Sequence, residues 1–296
     1  YYANGIYDLS ESSYQRLIDR GDSQNKYYLS SQYLLGWAQF KQNKYDESLL
    51  SFSLVLDSEF PTENDLLFAS SGQQDMLNDV LAPDFYQRII AGYQKAGYST
   101  LLRKHKKIFV NTYGVDGDYW NQQGSAVRET IKPALSEYIW DLARFSHAWG
   151  QRIKKESDKT RQLQEAIHWY EEYIRSFPDA QDTAKAHFLL AEVAYQLKQY
   201  PLAKDHYEIV AYQYPQYEKA SEAGYAAILT YSKHKPTKSE QLVWRQLTVA
   251  SAMRFVQEFP EDERRGQVLV NTSEMLLTGK YYEQALATAN LAWQSE

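Results

Sequence analysis

Cysteine is absent from this chain of 296 residues, which excludes disulfide staples, thiol nucleophiles and zinc sites built on sulfur. Proline (8) and glycine (13) are scarce, too few for a loop-rich or low-complexity protein. No uninterrupted apolar run of about 18 residues occurs, so no segment reads as a transmembrane helix, and mean hydropathy is −0.62. Charge of one sign is not abundant either: 32 Lys+Arg stand against 38 Asp+Glu, a net of −6. That small acidic excess repels polyanions and argues against generic phosphate-backbone binding, so nucleic acid is not an expected partner. The chain opens on Tyr1 without a basic-then-apolar leader. The expectation is a mature or trimmed fragment that has lost any targeting signal.

What is present is aromatic. There are 26 Tyr, 11 Phe and 7 Trp, 15% of the chain. Set among Ala, Leu, Gln, Lys and Glu, these rings suit helices packed through aromatic–small contacts.

Two marks recur along the chain. The first is an aromatic–proline pair closing an apolar helical run, at Phe60-Pro61, Phe177-Pro178, Tyr214-Pro215 and Phe259-Pro260. Proline cannot extend a helix interior, so each pair reads as a stop. The second is a tyrosine after a short polar turn, at Tyr45 (QNKY), Tyr98 (KAGY), Tyr200 (LKQY) and Tyr282 (TGKYY). Three residues later come Ser48, Leu101, Ala203 and Ala285, and four beyond those Phe52, His105, Tyr207 and Ala289. The interval from stop proline to turn tyrosine is 22 both from Pro178 to Tyr200 and from Pro260 to Tyr282. The spacing predicts helix–turn–helix units. The small residue lets two helices approach, the aromatic fills the groove between them, and the tyrosine packs under the turn. One such unit cannot bury its apolar faces alone, so neighbours stack.

These residues resemble the tetratricopeptide repeat. The best segment is AHFLLAEVAYQLKQYPLAKDHYEIVAYQYP, with Leu190-Ala191, Tyr200, Ala203, Tyr207 and Pro215. The next is SQYLLGWAQFKQNKYDESLLSFSLVLDSEFP, with Leu35-Gly36, Tyr45, Ser48, Phe52 and Pro61. The resemblance implies an all-α fold, a right-handed superhelical solenoid of antiparallel helix pairs. Four stretches are expected: repeats over 1–61 with the first truncated, an irregular insertion over 62–82, a degenerate repeat plus loop over 83–132, and a C-terminal array of long helices over 133–296. Within the last, a first helix is expected from Pro133, joined to the next by the polar link KKESDKT. A Gly-containing loop and a short helix are expected between Val115 and Lys132.

Candidate chemistry is thin. The six histidines form no HExxH and no tight metal spacing with a carboxylate, and they read as packing residues. Asp116 and Asp118 in VDGD match a piece of a calcium loop, but the other ligands are missing, so a turn with a helix cap is the expectation. No GxSxG, Walker or GxGxxG pattern occurs. The chain is therefore expected to be no enzyme, with no cofactor, no metal and no catalytic residue. The basic run Arg103–Lys107 is expected on the solvated face of a second helix, with an acidic lipid or acidic partner as the alternative.

The resemblance places first helices on a concave surface. It points Tyr33, Tyr86, Phe188 and Tyr225 inward, three positions before the Gly/Ala site, with Trp37, Tyr93 and Tyr195 one or two turns on. With Lys185 and Glu192, these form the expected partner-binding face. Tyrosine and tryptophan are the usual anchors of peptide interfaces, and packing between repeats is the competing use of the same rings. The Lys/Asn/Arg set with which relatives clamp a terminal carboxylate is not visible, Lys185 being the only comparable cation.

The style of the repeats also resembles bacterial envelope members of the family: the outer-membrane-assembly lipoprotein, the Tol–Pal coordinator and the type associated with Ton systems. That resemblance implies a scaffold in the periplasm or at the inner face of the outer membrane. It would hold a protein or peptide segment of an envelope complex and touch membrane only peripherally. The alternatives are a scaffold for polysaccharide export or peptidoglycan synthesis, and an accessory region of a cell-wall enzyme whose catalytic domain lies outside this chain.

Overall fold

The computed structural model describes residues 1–20, 28–57 and 74–294. Every regular element among them is a helix. Two compact units are present, Tyr1–Ile139 and Trp140–Glu296. The first holds a short 3-10 turn at Tyr2–Asn4, then α1 (Tyr7–Asp19), α2 (Tyr28–Lys41), α3 (Tyr45–Asp57), α4 (Gln74–Lys95), α5 (Ser99–Tyr113), α6 (Asp118–Gln122) and the start of α7 (Ser125–Arg152). The second holds the rest of α7, then α8 (Glu156–Ser176), α9 (Thr183–Gln196), α10 (Tyr200–Gln213), α11 (Ala220–Lys233), α12 (Gln241–Glu258), α13 (Arg265–Thr278) and α14 (Tyr282–Trp293). From α1 to α6 and from α8 to α14, each helix packs on the one that follows it in sequence. This is the all-α order of successive helix pairs that the repeats imply.

The aromatic–proline stops are a single backbone conformation used three times. Phe177, Tyr214 and Phe259 close α8, α10 and α12 at φ −137, −123 and −123 with ψ 60, 58 and 65. The ring of the following proline crowds the preceding residue out of the helical region. Phe60-Pro61 and residues 62–73 lie outside the described residues, while 74–82 belong to α4.

The turns are equally uniform. Asn43, Gly97, Lys198 and Lys280 take the left-handed conformation at φ 62, 77, 59 and 65. Each sits two residues before a helix start. Each is followed by an amide that reaches back five residues: Lys44 to Gln39 O, Tyr98 to Tyr93 O, Gln199 to Ala194 O and Tyr281 to Leu276 O, all within 3.0 Å. These turns correct the expected register of one repeat. Tyr98 is equivalent to Lys44, Gln199 and Tyr281, and Ser99 takes the place of Tyr45, Tyr200 and Tyr282. The small-residue position of α5 is therefore Leu102, and its aromatic position is Lys106 rather than His105. Tyr282 does not pack under its turn either, being 62% exposed.

Pro133 does not open a helix. It lies inside α7, as Pro83 lies inside α4. A mid-helix proline removes one hydrogen bond and crowds the preceding turn. The buried side chains of Ile131, Leu135 and Ile139 hold α7 through it. The short helix expected before Lys132 is thus the first part of α7, with α6 before it. Most of the polar link KKESDKT also folds, into the first turn of α8.

Close approach of the paired helices depends on small residues, as the pattern requires. A Cβ on Gly36 would lie 2.7 Å from the Phe52 ring, and Ser48 donates to Gly36 O at 2.8 Å. In the α9–α10 pair, Ala191 and Ala203 are fully buried beside Tyr207.

Candidate functional site

In the first unit, Tyr33 and Trp37 stand one turn apart on α2. Their rings meet edge to face at 6.4 Å, and both lean on Phe52 of α3, at 6.0 and 5.7 Å. Arg88 of α4 covers them. Its guanidinium lies 4.7 Å from the Trp37 ring centre and 5.3 Å from that of Tyr33. It also donates to the Tyr33 hydroxyl and pairs with Asp84 at 2.5 Å.

Tyr86 lies one position off the register of Tyr33 and Phe188. Its hydroxyl meets His105 Nδ1 at 2.9 Å, and its ring packs on Phe109 and Tyr113. Burial pushes the Tyr86 hydroxyl up to about 12. Tyr93 stacks on the same imidazole at 4.7 Å. Burial, and then the nearby Lys104, lowers the His105 pKa. Tyr86 and Tyr93 are thus joined through a histidine of the second helix.

In the second unit, Phe188 is only 5% exposed. It meets Tyr207 at 5.8 Å and Tyr217 at 6.4 Å, and Lys219 lies 4.7 Å above it. Glu192 accepts a hydrogen bond from the Tyr207 hydroxyl. Burial first and this carboxylate second raise the Tyr207 pKa far above its ordinary range. Tyr195 meets Tyr200 edge to face at 5.6 Å. Lys185 is exposed on α9, with its ammonium 5.5 Å from the Trp140 ring centre. Tyr225 packs beside Phe255 under Arg264, whose guanidinium is 4.9 Å from the ring centre.

A common device links these rings. Tyr33 and Trp37, Phe188, and Tyr225 are each covered by a cation from the next first helix: Arg88, Lys219 and Arg264. Lys219 and Arg264 are the N-cap residues of α11 and α13. Arg264 is held by Asp262 through 2.8 and 2.6 Å bonds and reaches Ser221 at 3.2 Å. These donors hold the Asp262 carboxyl down at about 2. None of the three cations belongs to the set of residues read from sequence. Their reach across a helix junction has no local periodicity to announce it.

Between α11, α12 and α13 a cleft of about 100 Å³ is lined by Tyr225, Ile228, Leu229, Val268 and Met275 among others. Leu229 on α11 is 42% exposed, and Val270 and Leu277 on α13 are likewise exposed. A second, larger groove of about 630 Å³ lies where the α8–α9 turn faces the α10–α11 turn.

Five of the six histidines pack against other side chains, and His168 is exposed. His187 Nδ1 and His206 Nδ1 share one hydrogen bond at 2.7 Å, one neutral ring donating to the other. Burial, then the neighbouring His206, lowers His187 to about 4. His147 bonds Tyr170 and Gln151, and His234 lies 4.0 Å from the Trp244 ring. Among the described residues, no group of three or more His, Asp and Glu is placed to hold a metal ion, and no helix is long and apolar enough to cross a membrane.

In the basic run Lys104 is exposed and Arg103 and Lys107 are half-buried, but Lys106 departs from the solvated face expected. Lys106 is buried at 4% exposure because it occupies the position that Phe52 and Tyr207 fill in other pairs. Its ammonium lies 4.7 Å from the Tyr138 ring centre and 3.7 Å from Glu137 Oε1.

Residues 158–218 match the family model of the tetratricopeptide repeat. The chain is also similar to a solved structure, the TPR2AB-domain:pHSP90-complex of yeast Sti1. The identity is 13% and the TM-score 0.29, over 98% of this chain and 94% of that one. No curated protein matches the chain.

Proposed function

We propose that this protein is a non-catalytic scaffold of the bacterial cell envelope that holds a segment of a partner protein against its first helices. The observation that carries the reading is the repeated pairing of a first-helix ring with a cation from the next first helix. Tyr33, Trp37 and Tyr225 are half-buried and pinned in this way, and such rings lose little side-chain entropy on contact, which favours their use as anchors; Phe188 is buried and packs the repeats. Beside Tyr225, Leu229 offers exposed aliphatic surface in the α11–α13 cleft, with half-buried Ile228 and Met275 in the same lining. Tetratricopeptide repeats suggest a protein-interaction scaffold, and residues 158–218 carry that match. The envelope placement, in the periplasm or at the inner face of the outer membrane, rests on the resemblance of the repeats to envelope members of the family. Absence of cysteine is compatible with it.

The test is in-cell photo-crosslinking from Trp37, Tyr195 and Leu229 in a bacterial envelope, followed by identification of the captured chains. Capture of an envelope assembly, Tol/Ton or division protein, lost on Leu229→Asp, is the expected result. Capture of cytosolic proteins alone overturns the compartment. Crosslinking that is indifferent to Leu229→Asp and Trp37→Ala overturns the first-helix face.

A further inference from the structure

The groove at the α8–α9 and α10–α11 turns has a chemistry unlike that of the first-helix face. Two tyrosines line it, and each is held by its own backbone and a neighbouring ring. Tyr214 is fixed by the stop conformation before Pro215, with its ring against buried His187 at 6.0 Å. Tyr217 is fixed by a 2.9 Å backbone bond from its amide to Tyr214 O, with its ring edge-on to buried Phe188. The rest of the lining is amide-rich, from Gln181 on one side to Gln213 and Gln216 on the other. The charged groups are Asp182, Lys185 and Glu218, which leave a small acidic excess. Burial first, then Glu218, Glu222 and Asp182, raises the Tyr217 pKa, so its hydroxyl stays protonated and able to donate.

This composition selects among ligands. Ala184 and Pro215 are the only non-aromatic apolar residues in the lining, so the groove has no aliphatic pocket for a peptide side chain. The acidic excess disfavours phosphorylated or polyanionic ligands. Fixed aromatic rings with neutral amide donors and acceptors instead suit a molecule with C–H faces and many hydroxyls. The volume, about 630 Å³, falls within the range of about 300–1,000 Å³ usual for small-ligand sites. We infer that this turn-side groove binds a neutral oligosaccharide, stacked on Tyr214 and Tyr217 and hydrogen-bonded by Gln181, Gln213 and Gln216. The site is separate from the partner-binding reading of the first-helix cleft and stands or falls without it.

The experiment is a titration of the isotope-labelled chain with chitotetraose, cellotetraose and maltotetraose, followed by amide chemical shifts. The expected result is saturable shifts confined to residues 181–185 and 213–218 for at least one of the three sugars. Binding should weaken by about tenfold or more, a loss of about 1.4 kcal/mol, in the double variant Gln181→Ala/Gln216→Ala. Both of those side chains are exposed, so the fold is spared. Tyr217→Phe keeps the ring and should cost less than Tyr217→Ala. No saturable shift at the groove with any of the three sugars overturns the inference. So does binding that the double variant leaves unchanged, or a peptide that shifts these amides where the sugars do not.

Discussion

The ammonium of Lys106 lies 4.7 Å from the centre of the Tyr138 ring, inside the packing of α5 rather than in solvent. The site is built for an aromatic or aliphatic side chain, because the same position carries Phe52 in α3 and Tyr207 in α10. A buried cation is tolerated through its ring and its carboxylate partner, yet an apolar residue of similar length often does as well. Lys106→Met is therefore expected to leave stability within about 1 kcal/mol of the parent or above it. Lys106→Glu, which faces Glu137, should lose about 3 kcal/mol. Urea unfolding of the two variants checks both; a Met variant as unstable as the Glu variant would show that the charge itself is required.

The His187–His206 contact predicts acid sensitivity. Both pKa values are lowered by burial, His187 to about 4. The unfolded chain therefore takes up these protons before the folded one does. Stability from this pair is complete above the unfolded value of about 6.5 and falls as pH drops from there towards 4. Thermal melts between pH 7 and pH 4 should show a progressive fall in Tm, and His187→Phe should flatten it. A profile that is the same in that variant would refute the assignment.

Asp262 acts at lower pH. With its carboxyl held down at about 2 by Arg264, its contribution is complete above the unfolded value of about 3.9 and is lost as pH falls towards 2. The pair is only partly exposed, so Arg264→Met is expected to cost about 1 kcal/mol at neutral pH and to loosen the Tyr225 ring. Ring-proton exchange or tyrosine fluorescence of the variant reads the second effect. An unaltered Tyr225 signal would remove Arg264 from its role.

Gly36→Ala places a methyl 2.7 Å from the Phe52 ring. The helix gains about 1 kcal/mol in propensity, and overpacking costs about 1–3 kcal/mol, so a net loss of about 1 kcal/mol is expected. Phe52→Leu in the same chain should recover part of it. A double-mutant cycle with no coupling would contradict the contact.

Sequence alone determined the helical architecture, the stops and most of the turns. These are local events: the ring of Pro178, Pro215 or Pro260 acts on the residue before it, and a short polar turn needs only one left-handed residue to reverse the chain. The spacing of Gly36, Ser48 and Phe52 likewise reported their contact, because helix periodicity fixes which residues share a face. Only the tertiary structure decided the register of α5, where KAGY carries a tyrosine one residue ahead of its counterparts. A turn's register is set by backbone hydrogen bonds, not by residue type. It also decided that Pro133 sits within a helix, since burial of Ile131, Leu135 and Ile139 outweighs a local preference to break. The cations over Tyr33, Phe188 and Tyr225 and the groove lined by Tyr214 and Tyr217 belong to that second class. Each joins residues of different helices or turns, and the distance between such residues is set by how whole helices pack.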